Sequence, residues 1–123
     1  MIISSAIGHR GEDLAVSFLE KQGYLILERN FRSKFGEIDI IAKDKDTICF
    51  VEVKTRQDED ILSLLESVSF FKQRKLIKTA YYYFKLKHLN DPKARFDVVA
   101  INLDAKEDEQ IKIIKNAFGL EGM

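Results

Sequence analysis

Apolar side chains recur at helical spacing between residues 5 and 22, where Ile7, Leu14, Ala15, Phe18 and Leu19 share one side and Gly23 follows as a natural C-terminal cap. The spacing predicts a helix. At 100° per residue Glu12 falls beside Leu19 on the border of the apolar stripe, while Asp13, Ser17 and Glu20 lie on the opposite side. Glu12 is thereby able to look toward whatever the helix packs on. The period then drops to two. "YLILERNFR" (24–32) reads as a strand, "SKFG" as a turn, and "GEIDIIAKDKDTICFVEVKTR" (36–56) as two further strands around "KDKD". Residues 66–88 return to the helical period with Phe70, Leu76, Ile77, Ala80, Tyr81 and Phe84 on one arc, and Asn90, Asp91 and Pro92 are expected to end that helix. "RFDVVAINL" (95–103) reads as a buried strand, and in the tail "QIKIIKNAF" (110–118) the helical and strand periods compete, the strand being preferred. The predicted order is helix, three strands, helix, strand and tail. No repeat, low-complexity tract or linker divides it, so residues 1–123 are expected to form one α/β domain.

The composition is that of a globular chain with a real core, 46% hydrophobic and 11% aromatic over 123 residues. Twenty basic residues balance twenty acidic ones, so any binding of a polyanion has to come from local segregation of charge. The single cysteine, Cys49, excludes an intrachain disulfide, and its place on an apolar strand face makes it a core residue. Residues 1–7 lack a basic n-region and no apolar run approaches the ~18 residues that span a bilayer, so a soluble, cytoplasmic protein without membrane attachment is expected.

The anomaly is charge inside the second and third strands. With alternation of period two, Glu37, Asp39 and Ile41 are expected to point one way and Ile38, Ile40 and Ala42 the other, while Glu52, Lys54 and Arg56 share a face with Ile48 and Phe50. An even loop brings the two acidic sets together. With Asp44-Lys45 as a two-residue turn, Asp39 opposes Phe50 and Glu37 opposes Glu52; with a four-residue loop, Asp39 opposes Glu52 and Glu37 opposes Lys54. Carboxylates about 5 Å apart destabilise a sheet unless a cation lies between them. Oxygen donors without histidine or thiolate suit a hard ion, Mg²⁺ or Mn²⁺, since His9 and His88 lie outside the cluster. A lysine two residues after a carboxylate, on the same strand face, can steady a metal-bound water or a developing charge on phosphate. The set Asp39, Glu52 and Lys54 suits phosphodiester hydrolysis. Each residue also has a plainer reading: Glu37 as an edge acid paired with Arg29 or Arg32, Lys54 and Arg56 as a solvated strand end, His9 as helix surface.

The motifs "GHRGEDLA" (8–15), "GYLILERNFR" (23–32), "GEIDIIA" (36–42), "FVEVKTR" (50–56) and "RFDVVAI" (95–101) together resemble the YraN-like family of small bacterial proteins. These are predicted endonucleases related to archaeal Holliday-junction resolvases within the PD-(D/E)XK superfamily. The resemblance implies a restriction-endonuclease-like fold with a mixed central sheet flanked by helices. It makes Asp39 and Glu52 the metal-binding acids, the Val53 carbonyl a further ligand, Lys54 the catalytic lysine and Glu12 the helix-borne acid. Lys72 sits where many members carry a later lysine or glutamine on the second helix. The resemblance further implies DNA, branched or junction DNA in particular, as substrate, and a symmetric homodimer, although no segment announces an interface. Two departures stand out: Glu37-Ile38 replaces the proline of the motif's name, and the loop at 57–66 lacks the Gly-x-Pro character expected there.

Between Ser67 and Asn90 six basic residues, Lys72, Arg74, Lys75, Lys78, Lys85 and Lys87, occur without an acid. Arg74, Lys75, Lys78 and Lys85 take the outer arc, suited to tracking phosphates together with Arg29, Arg32 and Arg56, and Lys72 at the edge of the apolar arc can reach the cleft. A solvated helix face accounts for them equally well. Of Tyr81, Tyr82 and Tyr83, only Tyr82 is expected to be exposed. The rival to a metal-dependent nuclease is a nucleic-acid-binding or partner-docking module that keeps the nuclease fold and does not cut; a purely structural protein is the third.

Overall fold

The computed structural model describes residues 2–56, 69–106 and 110–118, and within them the side chains of all but residues 2–9 and Arg56. The loop at 57–66, the first residues of the predicted second helix, and the side chains of His9 and Arg56 lie outside the described residues. The elements are α1 (Ile2–Lys21), β1 (Leu25–Ser33), β2 (Gly36–Asp44), β3 (Thr47–Arg56), α2 (Phe70–Leu86), β4 (Ala94–Asn102) and β5 (Ile111–Phe118). The predicted order holds, and the ambiguous tail is a strand.

The five strands lie in sequence order in one sheet, antiparallel throughout except for β3 beside β4, which are parallel. A parallel pair needs a crossover, and α2 lies within it. On one face Ala15, Leu19 and Tyr24 pack with Ile40, Ala42, Cys49, Val51, Val99 and Ile101; on the other Leu76, Ile77, Ala80, Tyr83 and Phe84 pack with Phe31, Ile38, Ile41, Phe50 and Phe96. The mixed sheet flanked by a helix on each face is an arrangement compatible with the restriction-endonuclease-like fold. Each large aliphatic side chain sealed in these layers contributes about 1.5–3 kcal/mol of hydrophobic stabilisation. Cys49 is fully buried, as expected of a core residue. Among the described residues no helix is long and apolar enough to cross a membrane.

Helix α1 ends as its sequence predicts. Gly23 takes φ +95°, Gly23 N–H donates to Glu20 O, and Tyr24 N–H reaches back to Leu19 O. Helix α2 starts at Ser69, whose hydroxyl accepts from Lys72 N–H at 3.1 Å, and stops at Leu86 rather than running to residue 88. His88 adopts a left-handed φ of 57°, and the Leu89 N–H closes on Phe84 O, so the chain turns before Asn90 and Pro92 are reached. Phe70 and Tyr81 are not core residues, being 66% and 46% exposed. The sheet supports only the middle of the helix, and the apolar arc was wider than the surface beneath it.

Two corrections concern the pleat. The β2–β3 turn is Lys45-Asp46, with Lys45 at φ 58°, closed by the pair Asp44↔Thr47. The register Ile40↔Val51 through Asp44↔Thr47 is nonetheless the one in which Asp39 falls opposite Glu52. Ile38 does not share a face with Ile40: it packs with Ile41 and Phe31 against α2. The β1–β2 ladder carries Arg29↔Ile40 and then Phe31↔Ile38, and the intervening Asn30 has φ 53°. A left-handed residue between two extended ones reverses the side-chain sense. The alternation is broken at Asn30 and Asp39.

Candidate functional site

Asp39 lies where the β2 and β3 strands part. Their ladder ends at Ile40↔Val51, whereas β3 stays paired with β4 as far as Arg56↔Asn102. Beyond Val51 the side of β3 that faces β2 therefore has no strand to bond. The Asp39 carboxylate fills that role, accepting from Val53 N–H at 2.8 Å. In an extended strand a residue's N–H and C=O point to the same side, so the Val53 carbonyl faces the same opening.

Glu52 and Lys54 project from β3 on the Phe50 side, toward α2, and both are buried, 7% and 9% exposed. A lysine and a glutamate this far from water need partners. Lys72 supplies one. Capped by Ser69, the first turn of α2 directs the Lys72 ammonium to Glu52 Oε1 at 2.7 Å. Burial works against that ammonium, but the hydrogen bond and the charge of Glu52 raise its pKa on balance, with Lys54 and Asp39 in the same environment.

Glu12 arrives from the other layer. Helix α1 can approach β3 closely because residue 11 is glycine: a Cβ there would overlap the Thr55 hydroxyl and stand 2.8 Å from Thr55 Cβ. The next residue is Glu12, mostly buried, with Oε1 shut off from water and without a hydrogen-bond partner; Arg29 Nη2 lies 3.8 Å from it and is itself bonded to Asp13 at 2.8 Å. Burial, then the charge of Glu52, push the Asp39 carboxyl up to about 7, against the opposing Val53 N–H; Glu12 adds to the rise and Lys72 subtracts from it. Three acids from β2, β3 and α1 thus share one field at the mouth of the sheet.

This donor set suits a hard divalent ion. It is all oxygen, an orphaned buried carboxylate oxygen already belongs to it, and the charge on Asp39 is disfavoured as the protein stands. The cage is not closed. Among the described residues no three acidic, histidine or cysteine side chains are grouped so as to hold a metal ion by themselves.

The remaining sequence-derived candidates separate. Glu37 pairs with Arg32 at 3.5 Å in an exposed contact, the plain reading of both residues, and takes no part in the cluster. Arg29 is engaged with Asp13 and Glu12, between the basic surface and the site. Arg74, Lys75 and Lys78 lie exposed on α2.

The chain can be placed among known proteins at this point. A model of "Uncharacterised protein family UPF0102" matches residues 11–101, a span that holds Gly11, Glu12, Asp39, Glu52, Lys54 and Lys72. The chain belongs to the UPF0102 family. It is similar to a UPF0102 protein of Pelobacter propionicus, 49% identical over 92% of this chain and 82% of that one. UPF0102 proteins of Clostridium perfringens and Clostridium botulinum strain Hall are 46% and 48% identical, over 94% and 91% of this chain and 95% and 93% of theirs. The YraN-like resemblance carried by the motifs is borne out by this UPF0102 membership. The family's description assigns no chemistry.

Proposed function

We propose that the protein is a metal-dependent endonuclease that hydrolyses phosphodiester bonds of DNA, branched DNA in particular. Asp39, Glu52 and the Val53 carbonyl would hold Mg²⁺ or Mn²⁺. When bound, the ion supplies Lewis-acid polarisation of the scissile phosphate and a more acidic water. Lys54, buried on the same strand face as Glu52, orients the attacking water and balances charge that grows on the phosphate oxygens. Glu12 offers the unpartnered Oε1 as an acceptor for that water, or for one that relays its proton. Water adds to phosphorus, a P–O bond to sugar breaks, and the departing oxygen takes up a proton. Lys72 compensates Glu52 from the α2 side, and Arg29, Arg32, Arg56, Arg74, Lys75 and Lys78 supply backbone contacts that hold the strand.

The observation that carries this reading is that Asp39, beside a gap between two strands, feels the charges of Glu52 and Glu12 while its carboxylate is joined to the Val53 N–H across the gap. One observation favours the rival, a binding module that does not cut: the Lys72–Glu52 ion pair already neutralises one of the acids without a metal. Purified protein incubated with junction, flap and linear DNA in Mg²⁺ or Mn²⁺ separates the two. The nuclease reading expects cleavage that EDTA stops and that Asp39→Asn and Lys54→Ala reduce by 100-fold or more, on the order of removing one key electrostatic contact. Salt-sensitive gel shifts without turnover would select the rival.

A further inference from the structure

About two and a half turns along α2 from Lys72, roughly 14 Å at 1.5 Å per residue, lies a groove of about 720 Å³ between the helix and the β1–β2 turn. Its walls carry Phe35, Tyr81 and Tyr82, with Lys34, Lys78 and Lys85 around them and no acid. On the helix Lys78, Tyr81, Tyr82 and Lys85 fall within one arc, so rings and ammonium groups are interleaved. The rings are held from beneath by the core: Tyr82 lies 6.1 Å from Phe31 and Tyr81 stands edge-on to Phe84 at 5.8 Å. Their other sides stay open, at 39% and 46% exposure.

We infer that this groove binds unpaired nucleotides of a DNA strand, bases stacked on Tyr81, Tyr82 and Phe35 and phosphates met by Lys34, Lys78 and Lys85. The naming of DNA rests on the nuclease reading; the fit of a planar ring joined to an anion rests on the groove alone. An apolar protein face would leave three ammonium groups without counter-charge, and an acidic peptide would leave three rings without purpose. A base with its phosphate uses both, because aromatic stacking is indifferent to base identity and phosphates release counterions from lysine. The groove's volume is in the range of pockets that enclose a molecule of this size. Placed about two and a half helical turns from the lysine that meets Glu52, it would let the protein prefer DNA with a single-stranded arm beside the duplex it cuts.

The test is fluorescence anisotropy of a labelled twelve-nucleotide oligothymidylate with the full chain in EDTA, against a duplex of equal length. The wild type is expected to bind the single strand in preference, and Tyr81→Ala/Tyr82→Ala to weaken that binding by about ten-fold or more. Tyr81→Phe/Tyr82→Phe should remain within about two-fold, since the ring and not the hydroxyl stacks. Lys34→Glu, at an exposed turn, should weaken binding several-fold and flatten its salt dependence, each lost lysine contact lowering the slope by ~0.7, and it serves if the alanine pair does not fold. Bromouracil substituted into the oligonucleotide should crosslink to Tyr81 or Tyr82. Unchanged affinity in both the alanine pair and Lys34→Glu overturns the inference. So does equal loss in the phenylalanine pair, or a groove that acts only on anionic phosphatidylserine vesicles. Stacking without any cleavage would sink the nuclease reading and leave the groove standing; cleavage without stacking would do the reverse.

Discussion

Two polar clusters are buried in this sheet, one at each end of the strands, and they are built on opposite principles. Near the start of β4, Arg95 donates to both oxygens of Asp97 at 3.0 and 3.2 Å, to Tyr24 at 2.9 Å and to Asp44 at 2.8 Å. Tyr24 and the Asn116 N–H complete Asp97 at 3.1 and 2.9 Å. The β3–β4 ladder stays intact there, with Cys49↔Arg95 and Val51↔Asp97 in register, and where the β4–β5 register shifts between Phe96 and Val98 the Asp97 side chain takes up the Asn116 N–H. Asp44 is held well below the usual carboxylate range by its Arg95 bond, while burial and Asp97 push the Tyr24 hydroxyl far up and burial pushes the Cys49 thiol up to about 12. The bond from Arg95 that holds Asp44 charged is made within the same closed network. At the other end the ladder opens, Asp39 is pushed toward neutrality and Glu12 keeps an orphaned oxygen. Burial of charge is common to both; completion is not. A satisfied network holds a fold together, whereas an unsatisfied one is a seat for something else.

The comparison breaks first at Asp97. Asp97→Ala removes the acceptor around which Arg95 and Tyr24 are arranged and should cost about 3–5 kcal/mol in urea unfolding, as expected for an uncompensated buried charge. Asp39→Asn should move stability the other way. The ordinary carboxyl pKa is 3.8 and the folded value about 7, so between these limits the folded protein binds more protons and loses stability as pH rises. Above pH 7 the full penalty is present. Without divalent ion at pH 8 the asparagine variant, whose amide oxygen still accepts from Val53, should be more stable by about 1–3 kcal/mol, and its pH slope should flatten. A destabilised Asp39→Asn would mean the two clusters are alike. Gly11→Ala should cost about 1–3 kcal/mol by overpacking against Thr55, with thermal melts as the readout. Smallest is Arg32→Ala, which removes an exposed pair and should stay within about 0.5 kcal/mol.

Much of this was legible in the chain. The shift between periods of 3.6 and two gave the order of elements, and the need for apolar positions to match across an even loop put Asp39 near Glu52. The edge position of Lys72 foretold its reach to the cluster, and the border position of Glu12 its inward look. What the pattern did not carry was the reversal at Asn30, because a period-two reading assumes a uniform pleat and a single left-handed residue undoes it. The wheel assigns Phe70 and Tyr81 to the core for a related reason: it records which side is apolar, not how far the surface beneath extends. The Arg95 network left a faint sign, an arginine and an aspartate two apart at the head of the otherwise apolar run "RFDVVAI". Charges at that spacing read equally as a solvated strand end, and only the third dimension brings Tyr24 and Asp44 to them.

The bond from Val53 to Asp39 has one more use. Most amide protons in a sheet answer to another backbone; this one answers to an ionisable oxygen at the seat of the proposed chemistry. In a nitrogen-15 correlation spectrum the Val53 resonance becomes a resident gauge, expected to drift with the protonation of a single carboxyl and, if the proposed ion binds there, to jump when it is added.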